Sequence, residues 1–258
     1  MNDRGRAAAP VSRIAILALA LAALAALAAV AAGFGTKWRL WDFRTGFAVL
    51  EWAAWGGLAA AGAALVGAVL ARPGAGRRSF LLALCALAVG LTTFAVPWQQ
   101  RNAARALPRI HDITTDTNNP PAFRAVLPLR RGAPNPPEYG GPEVAEQQKK
   151  GYPDIAPLRV SRPRADAYEA ALVTAAEMGW SIVAKAPAEG RIEATDTTFW
   201  FGFKDDIVIR VSADEGGGSR IDVRSKSRVG RSDAGANATR VRAYIAELKQ
   251  RLGGADSR

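Results

Sequence analysis

Residues 191–237 read RIEATDTTFWFGFKDDIVIRVSADEGGGSRIDVRSKSRVGRSDAGAN, and their alternation decides the fold of the C-terminal part. In 191–196, Ile192 and Ala194 fall on one face of a strand. In 206–213, Ile207, Ile209 and Val211 fall on one face, with Val208 and Arg210 on the other. Gly216-Gly217-Gly218 makes a hairpin turn, and 220–227 returns as a strand with Ile221 and Val223 inward. Upstream, 180–186 reads as a further strand, closed by a turn at Pro187-Ala188-Glu189-Gly190. Before it, 164–178 has the helical spacing Tyr168, Leu172, Ala175, Ala176, and Gly179 stops it. At the far end, Ala238, Val241, Ile245, Leu248 and Leu252 make the buried stripe of a helix over 233–252, with Ser232 as N-cap and Asp233 at its positive end. The expected fold of 161–252 is therefore α+β, an antiparallel sheet of about four strands flanked by two helices on one face, a helix-grip-like arrangement. That likeness is of topology alone and carries no function. A disordered tail is expected over 253–258.

The first hundred residues have a different composition. Nine Lys/Arg face three Asp/Glu there, against 25 and 20 in the remainder, so the net charge of +11 is not one nucleic-acid patch. Spans at about 14–34, 47–70 and 80–98 are each long and apolar enough to cross a bilayer. The first, preceded by Arg4, Arg6 and Arg13, also has the outline of a signal peptide, but its apolar core is longer than such segments carry and two more spans follow. Arg72, Arg77 and Arg78 crowd the short link between the second and third spans, and short Arg-rich loops stay cytoplasmic. Lys37, Arg39 and Arg44 in the first link pull the other way, while Trp38, Trp41, Phe43, Trp52, Trp55 and Trp98 fit an aromatic belt at one interface. The expectation is a multi-pass bacterial inner-membrane protein with a cytoplasmic N-terminus and a periplasmic C-terminal domain.

Residues 101–160 are rich in Pro and turn formers and read as an irregular crossing from membrane to domain, with a short polar helix ending at Gly151. Within it His111 stands beside Asp112, either as a general base oriented by a carboxylate or as a buried structural histidine. One cysteine, Cys85, and one histidine exclude a disulfide framework, a thiolate metal site and a histidine pair on zinc. Asp205 and Asp206, with Asp196, Asp112 and Asp116, could gather on a hard cation, but no calcium-loop spacing is present. Asp206 reads rather as an ion-pair partner for Arg210 or Arg224. No metal and no cofactor is expected. Phe199, Trp200 and Phe201 read as core filling at the open end of the sheet, as a membrane-touching tip or as a partner patch. Arg224, Lys226 and Arg228 share a strand face, followed by Arg231, Ser232 and, in the last helix, Asn237. They read as an anion site leading into a helix start, or as a salt-bridged sheet face.

The segments IHDITTDTNNPPAF, IEATDTTFWFGFKDDIVIRV and IDVRSKSRVGRSDAGANATRVRAYI resemble the DUF1499 family, whose members have no established reaction. The resemblance covers about residues 107–252. It directs attention, without assigning roles, to Asp112, Asp116, Asp196, Phe199, Asp206, Arg224, Ser225, Ser227, Arg228, Gly230, Ser232, Asp233 and Asn237. Some members are expected to carry apolar N-terminal spans, as this chain does. Three functional expectations follow. One is a non-enzymatic module that binds an envelope protein or an anionic ligand, with the lipid bilayer as a further partner and no nucleic acid. The second is a membrane-associated enzyme acting on a lipid or cell-wall substrate, with His111 and Asp112 or the Asp205-Asp206 pair as acid/base groups, which requires His111, Asp196 and Asp206 to converge. The third is a structural subunit packing other membrane helices through the small residues Gly56, Gly57 and Gly62.

Overall fold

The computed structural model describes residues 12–71 and 77–253. Arg4, Arg6, Arg72 and the expected tail beyond Gly253 lie outside the described residues. The chain forms two units. One runs through Asn102 and includes Phe199–Gly202; the other holds Ala103–Thr198 and the chain from Phe203 onward.

The first unit consists of α1 (Arg13–Lys37), α2 (Phe43–Leu70) and α3 (Arg77–Arg105), three helices long and apolar enough to cross a membrane. They outrun the expected spans because hydropathy marks only the apolar middle, whereas Arg and Lys at the ends are themselves good helix formers. The Asp42 carboxylate accepts the backbone N–H groups of Arg44 and Thr45 and starts α2. Packing between the helices uses small side chains, including Ala18, Ala22, Ala60, Ala64 and Ala86, while Leu17, Leu24, Leu27 and Leu65 face outward. Helices α2 and α3 approach closely at Gly57 and Gly90, where a Cβ on Gly90 would lie 2.5 Å from the Gly57 carbonyl oxygen. Trp55, Phe94 and Trp98 pack in series, with successive ring centroids 5.6 Å apart.

Phe199–Gly202 belongs to this unit. The Trp200 indole N–H donates to the Val30 carbonyl at 3.0 Å, and Lys37 Nζ donates to the Phe199 carbonyl at 2.9 Å. Phe201 is buried, its ring centroid 4.9 Å from that of Phe47. Trp200 and Phe201 thus pack against α1 and α2.

The second unit is α+β. Its strands are β1 (Asp112–Thr114), β2 (Leu158–Val160), β3 (Ser181–Ala186), β4 (Arg191–Thr197), β5 (Lys204–Ala213) and β6 (Ser219–Ser227). Its helices are α4 (Gly141–Gly151), α5 (Arg164–Glu177) and α6 (Ala236–Gly253), and a 3-10 turn spans Leu127–Arg130. The sheet is antiparallel throughout, in the order β1-β6-β5-β4-β3, and β2 pairs with the same edge of β6 as β1. The two edge strands leave a gap that Thr115 spans: its N–H donates to the Val223 carbonyl and its hydroxyl accepts from the Val223 N–H. At three residues each, β1 and β2 are too short for a periodic signal, which is why four strands are legible and six are present.

Helices α5 and α6 cover one face. Ala167, Ala171 and Ala175 meet Ala238, Val241, Tyr244 and Leu248 over Ile192, Ile207, Ile209, Val211, Ile221 and Val223. Small residues on α5 let it lie close to the sheet, and Trp180 stacks on Tyr244 at 5.0 Å. Helix α6 starts at Ala236 rather than at 233, because Ala234 and Gly235 take φ of 51° and 83° and close a turn first. The terminal N–H groups of Gly235 and Asn237 go to the Asp233 carboxylate, while Ser232 accepts only from Ala234. Asp233, not Ser232, therefore initiates the helix.

Candidate functional site

The opposite face of the sheet is buried too, under the irregular segment between β1 and α4. Its apolar part is small: Val208 packs on Phe123 and Val126. The rest is ionic. Alternation puts Asp222, Arg224 and Lys226 of β6, and Arg228 just past its end, on this face, beside Asp206 and Arg210 of β5 and Glu193 of β4. The carboxylates of Asp112, Glu193, Asp206 and Asp222 are all 2 % exposed or less, and each is satisfied separately. Asp206 accepts from Arg130 at 2.6 Å, from Arg228 at 2.7 and 2.9 Å and from the Thr195 hydroxyl at 2.7 Å. Asp112 accepts from Arg224 at 2.8 and 2.9 Å and from Lys226 at 3.0 Å. Asp222 and Asp116 share Arg210 and Arg220. Glu193 pairs with Arg191 and also receives the backbone N–H groups of Arg124, Ala125 and Val126, which pins the turn entering the 3-10 segment.

Asp206 thus pairs with Arg130 and Arg228. Arg210 is drawn to Asp222 and Asp116, and Arg224 faces Asp112 across the β1–β6 pair. The surplus guanidinium protons go to carbonyl oxygens of the irregular segment. Arg224 donates to Pro121 and Pro137, Lys226 to Glu138, Arg130 to Asn135 and Arg228 to Leu129. A Pro-rich strap makes few hydrogen bonds of its own, so its carbonyls remain available as acceptors. Arg224 is also held between the rings of Phe123 and Tyr139, at 4.8 and 5.5 Å. Burial raises the pKa of Asp206, but the hydrogen bonds from Arg228, Thr195 and Arg130 more than offset it and hold the carboxyl below its ordinary value.

At the β1 end this layer opens into a cavity of about 270 Å³. Lys226 and Asp112 line it from the sheet, Arg109 and His111 from the chain entering β1, Glu143 from α4 and Arg231 from the turn before α6. Lys226 is 2 % exposed, whereas Arg109 and Arg231 are open to solvent. Burial lowers the Lys226 pKa against the pull of Asp112. Burial, then the Lys226 charge, holds His111 below its ordinary value, so the imidazole is neutral at neutral pH. Burial and the nearby Asp112 push Tyr139 up to about 12, and its buried hydroxyl has no hydrogen-bond partner among the described residues. Since Asp112 already carries Arg224 and Lys226, the cavity presents a cationic lining opposed by Glu143.

On the helix side a second polar group closes the sheet end. The Asn237 amide donates to the His111 carbonyl and to Ser227, its oxygen accepts from Ser225, and Arg240 ties it to Asp205 and Asp196. These groups are mutually satisfied. His111, Asp196 and Asp206 therefore do not converge: the first lines the cavity, the second faces α6 and the third lies under the strap. Asp205 and Asp206, adjacent on β5, point to opposite faces as strand geometry requires. Of the residues expected at a binding surface, Lys226 and Arg231 line the cavity; Arg224 and Arg228 lie in the ionic layer; Ser232 accepts from Ala234 in the turn before α6; Asn237 ties the sheet end; Phe199, Trp200 and Phe201 belong to the other unit.

Sequence reading passes over Arg130, Glu193, Gln148 and Arg240. Gln148 pairs its side-chain amide with both the N–H and the carbonyl of Thr114, acting as one more partner for the edge strand. For Gln148 and Arg240 a signal existed, since each polar residue falls on the buried stripe of its helix. Arg130 had none, its partners being 76 or more residues away apart from Asn135.

A comparison with curated proteins finds no match. The model of the family described as Protein of unknown function (DUF1499) matches residues 112–248, from the first residue of β1 to the buried Leu248 of α6 and across the whole ionic layer, and the chain belongs to that family.

Proposed function

We propose that this chain is a membrane-anchored, non-catalytic binding module that takes a small anion, a phosphate or a carboxylate, in the cavity at Lys226. In this reading the three helices sit in a bacterial inner membrane with the N-terminus cytoplasmic and the α+β unit periplasmic. One observation carries the proposal: a buried lysine and two solvent-open arginines line one cavity with a neutral imidazole, and of its two carboxylates Asp112 is already engaged by Arg224 and Lys226, which leaves Glu143 alone against the cations. Such a lining offers charge-assisted donors to an anion. The separation of His111, Asp196 and Asp206 supports binding over acid–base catalysis.

The test is calorimetric titration of the full chain in lipid nanodiscs with inorganic phosphate and with citrate. Saturable binding of either, weakened at least tenfold by the exposed pair Arg109→Ala and Arg231→Ala, is expected. Absence of saturable binding of both anions refutes the proposal. A reporter fused after Arg258 tests the orientation, with activity expected only on the external side.

A further inference from the structure

The Phe199–Gly202 tip contains a feature the anion site does not use. Phe199 is 78 % exposed, although the two aromatic residues that follow it are seated against helices. Its surroundings identify the surface it faces. Trp38 and Leu40, just past the end of α1, are 67 % and 68 % exposed. Phe199 packs edge-on to Phe34 at 5.6 Å, and Phe34 stacks on Trp38 at 5.5 Å. Lys37 Nζ lies 5.1 Å from the Phe199 ring centre. Arg39 and Arg44 complete a group of cations at the same helix end.

Depth along α1 is the second observation. Trp200 donates to Val30, seven residues before Lys37, which at about 1.5 Å per residue is on the order of 10 Å back along the helix from its polar end. There Trp200 lines an apolar groove with Ala26, Ala29, Leu50, Val89 and Val96. The helices make room for it: a Cβ on Gly33 would lie 2.2 Å from the Trp200 ring, and one on Gly46 would lie 3.1 Å from Phe201. Two polar groups of the tip find partners on α1, since Lys37 donates to the Phe199 carbonyl and the Trp200 indole N–H donates to the Val30 carbonyl. Irregular backbone at membrane depth is tolerated only when its polar groups are satisfied in this way.

We propose that Phe199–Phe201 is a re-entrant interfacial element. In this arrangement Trp200 and Phe201 sit beside the helices at hydrocarbon depth. Phe199, with Trp38 and Leu40, faces an anionic lipid surface whose phosphates meet Lys37, Arg39 and Arg44. Aromatic residues beside cations match the chemistry of the headgroup layer, apolar on one side and negatively charged on the other.

The test uses the full chain in nanodiscs containing phosphatidylglycerol. The lone cysteine is removed by Cys85→Ser, and an environment-sensitive NBD label is placed through Phe199→Cys. A second preparation carries the label through Glu215→Cys, in the exposed β5–β6 turn of the other unit. Emission from position 199 is expected to be blue-shifted, quenched at least twofold by a phospholipid bearing a nitroxide near the top of its acyl chain, and shielded from aqueous iodide. Position 215 should show the reverse. Iodide quenching at 199 equal to that at 215, without nitroxide quenching, overturns the proposal. Shielding of 199 from both quenchers also overturns it, since it means protein rather than lipid covers the ring.

Discussion

Replacing Asp206 with alanine should be among the most damaging single changes in the α+β unit. The carboxylate is fully buried and is the acceptor for Arg130, Arg228 and Thr195. Its loss leaves the Arg130 guanidinium, 2 % exposed at the side chain, with only carbonyl partners for a full charge. Breaking a buried pair from one side costs about 3–5 kcal/mol. At about 1.4 kcal/mol per decade, the slowest amides of β5 and β6 should exchange roughly two to three and a half orders of magnitude faster. Hydrogen-exchange mass spectrometry of the full chain in micelles reads this directly. An acceleration below about fivefold, the equivalent of about 1 kcal/mol, would refute the argument, because it is what an exposed pair would give. The triple change Asp206→Leu, Arg130→Met and Arg228→Met separates charge from packing, since replacing a whole buried cluster with apolar groups is often close to neutral. The sign with pH is also determined. Asp206 has a folded pKa below its ordinary value, so the unfolded chain binds more protons in that window. The contribution is complete above the ordinary carboxylate value, about 4, and is lost as pH falls through the folded value.

Two further outcomes are expected. His111 titrates below its ordinary value in the fold, so stability should fall as pH drops from about 6.5 through the folded value, and His111→Asn should remove that part of the pH dependence in melting curves between pH 5 and 8. Gly90→Val places a Cβ 2.5 Å from the Gly57 carbonyl and 3.0 Å from the Ala61 nitrogen, both backbone, so α2 and α3 must part. A loss of about 1–3 kcal/mol in micelles is expected, against little change for Gly62→Ala, whose Cβ meets nothing within 4 Å; equal effects of the two would refute the close crossing.

The contrast between what the sequence discloses and what it hides lies in the range of the forces. Strands β4, β5 and β6 are legible because a period of two is written into Ile192, Ile207, Ile209, Val211, Ile221 and Val223. The α6 stripe is legible because its apolar residues recur at three and four. The start of α6 is not, because a carboxylate at Asp233 serves equally as a first-turn residue or as the acceptor ahead of a left-handed turn, and only the φ values of Ala234 and Gly235 separate the two. The cavity is half legible: His111 reads with its neighbour Asp112 and Lys226 with Arg231, but nothing local joins the two pairs, and Arg109 and Glu143 carry no signal at all.

The ionic layer makes the point most clearly. Alternation correctly puts Arg224, Lys226 and Arg228 on one face, and by composition that face belongs in water. It is buried because a segment about a hundred residues earlier lies across it and supplies carbonyl oxygens. Pro120, Pro121, Pro128, Pro134, Pro136 and Pro137 read as marks of a linker, since they prevent helix and sheet. That prevention is what makes the segment a good lid for cations: backbone that cannot satisfy itself must find donors elsewhere, and a row of arginines supplies them. Strap and ladder are each unremarkable alone. Their pairing explains why a net-positive strand can lie inside the protein, and why Lys226 borders a cavity at the point where the strap gives way to α4.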